Sequence, residues 1–354
     1  MIMNPFRFGT IVDEPFFTDR VEELATLKMH LDSEIHIVLI SPRRYGKSSL
    51  VRKVVSEIDR PSITINMQQV LSVQDFAGQI LKQIFMLYPI EKYRHFLSHF
   101  RFVPTISTNA LTGSMDVAFQ PSVKAEVVLE DAMHLLEKVT TPKARLIVVL
   151  DEFQEVLSLK VGFDKQLRAI MQQQQGLNYV LLGSEESMMT DIFEKKKSPF
   201  YHFGLLMHLH RIPESEFRQY ILERLPHTTD TEPIVEQILS YTGCHPYYTQ
   251  QLSSQVWEQM EYLHVTDGVV EQAIGQLIQE HDLDFERLWN GLNRTDRKVL
   301  TVLAVGQNPM QSRDMSASTT FSSLKRLQKA GFVIRENGYT MEDPFFRQWL
   351  REKR

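Results

Sequence analysis

A short apolar run, Ile35 to Ile40 (IHIVLI), ends in Ser41-Pro42-Arg43-Arg44-Tyr45-Gly46-Lys47-Ser48-Ser49 and passes directly into an amphipathic stretch reaching about Glu57. The β-branched run reads as a buried strand and the stretch from Lys47 as a helix. A strand that turns into a helix N-terminus aims backbone N–H groups at an anion. The residue types suit a phosphate: Gly46 lets the backbone approach closely, Lys47 brings charge to the β/γ-phosphates, and Ser48 offers a hydroxyl to Mg²⁺. The pattern is xxxxxGK[ST], with Ser41 where the usual loop has its first glycine, a change that removes no ligand. Gly-Lys-Ser alone recurs by chance; the strand before it and the helix after it carry the assignment.

Further strand-like and helix-like segments alternate through the first half. Ser62 to Met67, Leu146 to Leu150 and Tyr179 to Leu182 read as strands, and Gln74 to Leu87 as a helix. Continuous apolar strands separated by helices predict a mostly parallel sheet covered on both faces, an α/β core. Residues 100–125, with Pro104 and Pro121, fit this alternation poorly and read as a hairpin or an insertion. The strand Leu146 to Leu150 ends in Asp151-Glu152. An apolar strand ending in adjacent acids suits a Mg²⁺-dependent phosphotransfer site: Asp151 for the metal shell, Glu152 to polarise a water. A surface Asp-Glu pair is the plainer reading, and pairing with the phosphate loop favours the chemical one. Gly183-Ser184-Glu185 closes the next strand, where Ser184 either senses a γ-phosphate or makes an ordinary turn.

From about Glu214 the strand signals stop. Glu214–Leu225, Glu232–Thr242, Tyr247–Leu263 and Asp267–Glu280 read as helices. Past Leu292, helices are expected at about Thr295–Ala304, Ser312–Ser316 and Thr319–Lys329. Two short strands, Phe332–Arg335 and Tyr339–Met341, follow across Glu336-Asn337-Gly338, a tight-hairpin signal. Three helices and a hairpin predict a winged helix-turn-helix. Its third helix would turn Phe321, Leu324 and Leu327 inward and Lys325, Arg326 and Lys329 outward, with Arg335 on the wing. Phe345, Phe346 and Trp349 read as its core. Residues 292–354 carry twelve basic and six acidic side chains, a net +6. The rest of the chain is then −11, since the total is −5. Such asymmetry suggests modules with separate partners. The single cysteine, Cys244, excludes an intrachain disulfide and Cys-rich zinc modules. No apolar run reaches the ~20 residues of a membrane span, and Met1 to Phe8 lacks the order of a signal peptide. A cytoplasmic location and no membrane partner are the expectation. The histidines show no metal-ligand spacing, and His208-Leu209-His210 alternates as a strand would.

Four blocks together resemble the AAA+/STAND-type P-loop ATPases of the archaeal-type (prokaryotic) ATPase domain family. Asn4-Pro5-Phe6 with Phe16-Phe17-Thr18-Asp19-Arg20-Val21-Glu22-Glu23-Leu24 is similar to the family's N-terminal segment. The resemblance implies that this segment, with Phe17 and Arg20, lies against the adenine. SPRRYGKSSL resembles GPRR-x-GK[ST]-S-L, and Leu150-Asp151-Glu152-Phe153-Gln154-Glu155 resembles "DE-[FA]-Q". Thr242-Gly243-Cys244-His245-Pro246-Tyr247-Tyr248 looks like the G-x-[HP]-P motif of a helical lid, which implies nucleotide contacts at His245 and Pro246. Gly183-Ser184 looks like the sensor-1 "GS". One block departs: Ser198-Pro199-Phe200-Tyr201-His202-Phe203 resembles "SPLYGR" but has His202 and Phe203 where Gly and Arg stand. If that arginine completes the site in relatives, this chain hydrolyses slowly or takes an arginine from Arg211 or a partner.

The expectation is a P-loop NTPase core over 1–210, with 1–33 on the adenine side, a helical lid over 211–291 and a winged helix over 292–354. Nucleotide, ATP or ADP with Mg²⁺, would sit between core and lid. Residues 41–49 would hold the phosphates, Ser48 and Asp151 the metal, and Glu152, Lys47 and Ser184 would do the chemistry. The favoured function is a slowly hydrolysing ATPase that works as a molecular switch, coupled to duplex DNA through 292–354 or to a protein partner, with oligomers allowed. The alternatives are a DNA-binding regulator without significant turnover and an ATP-gated protein scaffold.

Overall fold

The computed structural model describes residues 3–18, 20–89, 100–101, 105–108, 115–119, 124–141, 144–226, 231–311, 314–336 and 338–353. Asp19, Pro104, Pro121, Arg313 and Asn337, and with them the turn of the C-terminal hairpin, lie outside the described residues. The chain forms two compact units: residues 21–41 with 47–209, and residues 1–20 with 42–46 and 210–354.

The first unit begins with helix α1 (Val21–Asp32) and strand β1 (Ile37–Ile40), then α2 (Lys47–Glu57), β2 (Ser62–Asn66) and α3 (Val73–Leu87). Strands β3 (Thr105–Thr108) and β4 (Met115–Ala118) form an antiparallel hairpin, as the 100–125 segment allowed. There follow α4 (Ala125–Val139), β5 (Leu146–Asp151), α5 (Val156–Leu159), α6 (Phe163–Gln173), β6 (Leu177–Gly183), α7 (Glu186–Phe193) and β7 (Leu205–His208). Among the described residues the main sheet has five strands, in the order β2-β5-β6-β1-β7, all paired in parallel. The burial of each strand follows its place. Central β1 is buried throughout and β6 likewise, so they are apolar on both faces. Edge strand β2 alternates between buried and open positions. The sequence expectation stopped β5 at Leu150 and began β6 at Tyr179. The ladder carries β5 on to Asp151 and starts β6 at Leu177. Of His208-Leu209-His210, expected as a strand, only His208 lies in β7, which starts three residues earlier and ends there. α1 had no counterpart in the expectation.

The second unit is helical apart from one hairpin. Its elements are α8 (Glu214–Leu222), α9 (Thr231–Thr242), α10 (Pro246–Leu263), α11 (Val269–Glu280), α12 (Asp282–Gly291), α13 (Arg294–Ala304), α14 (Ala317–Lys329), β8 (Val333–Arg335), β9 (Tyr339–Met341) and α15 (Pro344–Lys353). Residues 211–291 and 292–354 share one apolar cluster here, from Phe217 through Trp257 and Trp289 to Trp349. Helix starts follow local chemistry. Asn293 accepts from the N–H groups of Thr295 and Asp296, and Ser316 from that of Thr319. Asp343, just before Pro344, accepts from the N–H groups of Phe345 and Phe346 and so opens α15. Near the expected short helix at 312–316, a single 3₁₀ turn spans Pro309–Gln311, and Ser316 already caps α14.

One expectation for α14 needs correction. Phe321 does not face the core but is 49% exposed. The inward face is Thr320, Ser323, Leu324 and Leu327 instead. Arg326 is exposed as expected, and its guanidinium also grips the buried Asp296 carboxylate at 2.6 Å. Phe345, Phe346 and Trp349 are buried as expected.

Candidate functional site

The phosphate loop leaves β1 at Ser41 and enters α2 at Lys47. Gly46 has φ 87°, a left-handed conformation that glycine adopts without steric cost. Arg44 takes a similar turn at φ 67° without that freedom. Lys47 is buried, and its Nζ donates to the Ser41 carbonyl at 2.9 Å and to Ser41 Oγ at 3.2 Å. The serine that replaces the usual glycine therefore supplies an acceptor to the loop's own lysine.

Opposite the loop in the same unit, β5 delivers the acidic pair. Ser48 Oγ donates to Asp151 Oδ2 at 2.8 Å, so the two expected metal ligands sit side by side. Both are hard oxygen donors, the chemistry Mg²⁺ prefers. Burial pushes the Asp151 carboxyl above the usual carboxylate range, while the Ser48 hydrogen bond and the Lys47 charge pull it back. Glu152 follows in a left-handed conformation, φ 53° and ψ 47°, unusual for a non-glycine residue and a strain stored next to the chemistry. Its Oε2 accepts from Ser184 Oγ at 2.6 Å and from Gln154 Nε2 at 2.5 Å. Ser184, at the tip of β6, thus meets Glu152.

In the second unit the middle of the loop packs with the 242–248 motif. The Tyr45 ring meets His245 edge-on at 4.8 Å, and the Arg44 guanidinium lies 4.4 Å over Tyr247. Arg20 is buried and donates to the carbonyls of Tyr45 and His210, a tie to the loop backbone that no sequence signal announced. His245 caps α10 by accepting from the Tyr247 N–H, with Pro246 in the first turn. Burial, reinforced by the Arg211 charge, holds the His245 imidazole down at about 3, so it is neutral at physiological pH. Its Nε2 lies 3.6 Å from Glu342 Oε1. Phe17, Pro42 and Ser49 are half-buried and Arg43 is exposed.

The departing block is placed elsewhere. Phe203 stacks on His36 at 4.6 Å, beneath the Arg168 guanidinium at 4.9 Å. His36 directly precedes β1, whereas the phosphate loop leaves the other end of that strand. Position 203 is therefore at the wrong end of the sheet to reach the loop in the same chain. His202, where the motif has glycine, keeps a left-handed φ of 54°. Arg211, the other candidate arginine, donates to the Gly243 carbonyl at 2.8 Å and pairs with Glu336 at 3.4 Å.

A family model described as an ATPase domain predominantly from Archaea matches residues 17–252, two thirds of the chain. The chain belongs to that family. The fold of this P-loop ATPase is shared by solved structures. The Walker-type ATPase PABY2304 of Pyrococcus abyssi superposes with a TM-score of 0.68 at 19% identity, covering 98% of this chain and 99% of that one. The ORC2 protein of Aeropyrum pernix, in ADPNP–ADP complexes, gives 0.59 at 15% identity over 98% of each chain. The ORC1 protein of the same organism, in complex with DNA, gives 0.52 at 13% identity, over 98% of this chain and 97% of that one. No curated protein matches the sequence. Among the described residues, no helix of the ATPase is long and apolar enough to cross a membrane.

Proposed function

We propose that this ATPase is a Mg²⁺-dependent, slowly hydrolysing enzyme that uses the nucleotide as a conformational switch. The observation that carries the reading is the 2.8 Å contact between Ser48 and Asp151, which joins the phosphate loop to the acidic pair. Ser48 and Asp151 would hold Mg²⁺, which when bound neutralises phosphate charge. Lys47 pairs with the β/γ-phosphates, and Glu152 accepts the proton of the attacking water. The switch reading is supported by Arg44 and Tyr45, loop residues that pack on the lid residues Tyr247 and His245. A phosphate held by the loop bears directly on that packing. Slow turnover rests on the sequence alone, which has Phe203 where the resembled motif has arginine. The test is steady-state phosphate release: Glu152→Gln should keep nucleotide affinity and lose turnover, whereas Asp151→Ala should weaken Mg²⁺-dependent binding. Full turnover in Glu152→Gln would move the base elsewhere.

Coupling to duplex DNA is a second reading, supported by the basic exposed edge of α14, where Lys325 and Lys329 stand beside Arg326. The ORC1 relative in complex with DNA points the same way. Fluorescence anisotropy of the full chain should show weak binding, roughly 10⁻⁴ to 10⁻⁶ M, that weakens as salt rises. No binding at low salt would favour a protein partner for this helix.

A further inference from the structure

We infer that Gln154 is a positioning residue for hydrolysis: its amide and the Ser184 hydroxyl both donate to Glu152 Oε2, which leaves Oε1 as the oxygen that takes the proton from water. The inference rests on the proposed role of Glu152 as the base and names what aims it.

Gln154 is 1% exposed and opens the 3₁₀ turn after β5 together with Phe153, whose ring fills the core. Its Nε2 lies 2.5 Å from Glu152 Oε2. The opposite amide orientation would set an oxygen at that distance from a carboxylate oxygen, so charge fixes which end faces Glu152. The arrangement has a cost. Gln154 Oε1 is buried and has no hydrogen-bond partner among the described residues. A buried acceptor left unpaired is destabilising, and an apolar side chain of equal length would avoid it. The position keeps an amide although only the donor half is used. That half serves one group, the carboxylate beside the phosphate loop.

The geometry explains why one donor is not enough. Glu152 sits on a left-handed backbone at the very end of β5, where no ladder holds its side chain. A single hydrogen bond from Ser184 leaves the carboxylate free to pivot about the bonded oxygen. A second donor on the same oxygen, from Gln154 in the turn that follows, stops the pivot and aims Oε1. Glu152 Oε1 accepts no hydrogen bond from the described residues. When the water oxygen bonds to the γ-phosphorus, its proton passes to Oε1 and the bond to the bridging oxygen breaks, with the electron pair leaving on ADP.

The test uses the full chain and two substitutions. Gln154→Met keeps length and volume, removes the donor and removes the unpaired acceptor. The expected result is a kcat at least about tenfold lower, with KM for ATP and ADP affinity unchanged and Tm unchanged or raised. A filler role predicts the reverse, a lower Tm with no selective loss of kcat. An unaltered kcat in Gln154→Met, beside an inactive Glu152→Gln, overturns this inference and leaves the hydrolysis reading standing. A Glu152→Gln protein that turns over normally, or a wild type that releases no phosphate, overturns the hydrolysis reading and this inference with it.

Discussion

Lys47 shows how a single side chain sets the resting state of the loop. Its ammonium is held by the backbone and hydroxyl of Ser41. A phosphate must draw it off those acceptors. Glycine at position 41 keeps the carbonyl and loses the hydroxyl. Ser41→Gly should therefore raise MgATP affinity by about 1 kcal/mol, roughly fivefold, the worth of one hydrogen bond. Lys47→Ala should lower it at least about tenfold. Calorimetric titration measures both, and an unchanged or weaker affinity in Ser41→Gly would mean that the hydroxyl does not compete. At this scale the motif spacing singles out Lys47, Ser48, Asp151 and Glu152 as candidates. It is silent on what Ser41, Arg20 and Gln154 do. Their partners are reached through rotamers and turns that spacing along the chain does not encode.

Helix α14 illustrates the limit of periodicity at the scale of an element. Its apolar residues predict a face through Phe321, Leu324 and Leu327, and the helix is instead rotated so that Thr320 and Ser323 share the inner face. The cause is Asp296 on α13, buried and bonded by Ser323, Arg326 and Asn293. A polar anchor of this kind outweighs one phenylalanine and leaves no apolar trace in the sequence. Burial tends to raise the Asp296 carboxyl, but the hydrogen bonds from Arg326 and Ser323 hold it below its ordinary value. A carboxyl lowered in the native state stabilises above its unfolded value, near pH 4, and loses that contribution as pH falls through the lowered value. Asp296→Asn should therefore melt at a lower temperature than wild type at pH 7. The difference should shrink below about pH 4. Thermal melts followed by circular dichroism would show this, and a gap that stayed constant with pH would remove the ion pair from the account.

Each compact unit holds a histidine kept neutral by its surroundings, the half-buried His36 in one and the buried His245 in the other. His36 is held down at about 4 in the sheet unit, by burial and then the Arg168 charge. His245 is held at about 3 in the helical unit, by burial and the Arg211 charge, among Glu342, Asp343 and Arg44. Unfolding frees each to take a proton below about pH 6.5, so stability falls as pH drops from there toward the native values. The slope approaches about 1.4 kcal/mol per pH unit for a fully buried histidine. His245→Asn retains a side-chain acceptor to cap α10 and removes the titration. Between pH 7 and 5 its denaturant midpoint should fall less steeply than that of wild type. Parallel curves would show that His245 is not what makes the molecule acid-sensitive.

The strand–loop–helix block, the apolar strands and the acidic pair were legible in the sequence because each rests on local rules. A central parallel strand must be apolar on both faces, and a phosphate loop must join a strand to a helix. Those rules led to the P-loop ATPase fold and to Ser48 and Asp151 as neighbours, although 103 residues separate them. Only the tertiary structure decided which end of the sheet receives Phe203, how α14 is rotated, and which groups bond Glu152. Each of these depends on a buried polar or aromatic contact between distant segments: Phe203 with His36, Ser323 and Arg326 with Asp296, Ser184 with Glu152. Hydrophobic periodicity says which side of an element leaves water. The directional contacts of buried polar groups decide where on that side it docks, and their partners lie too far along the chain for any local pattern to name.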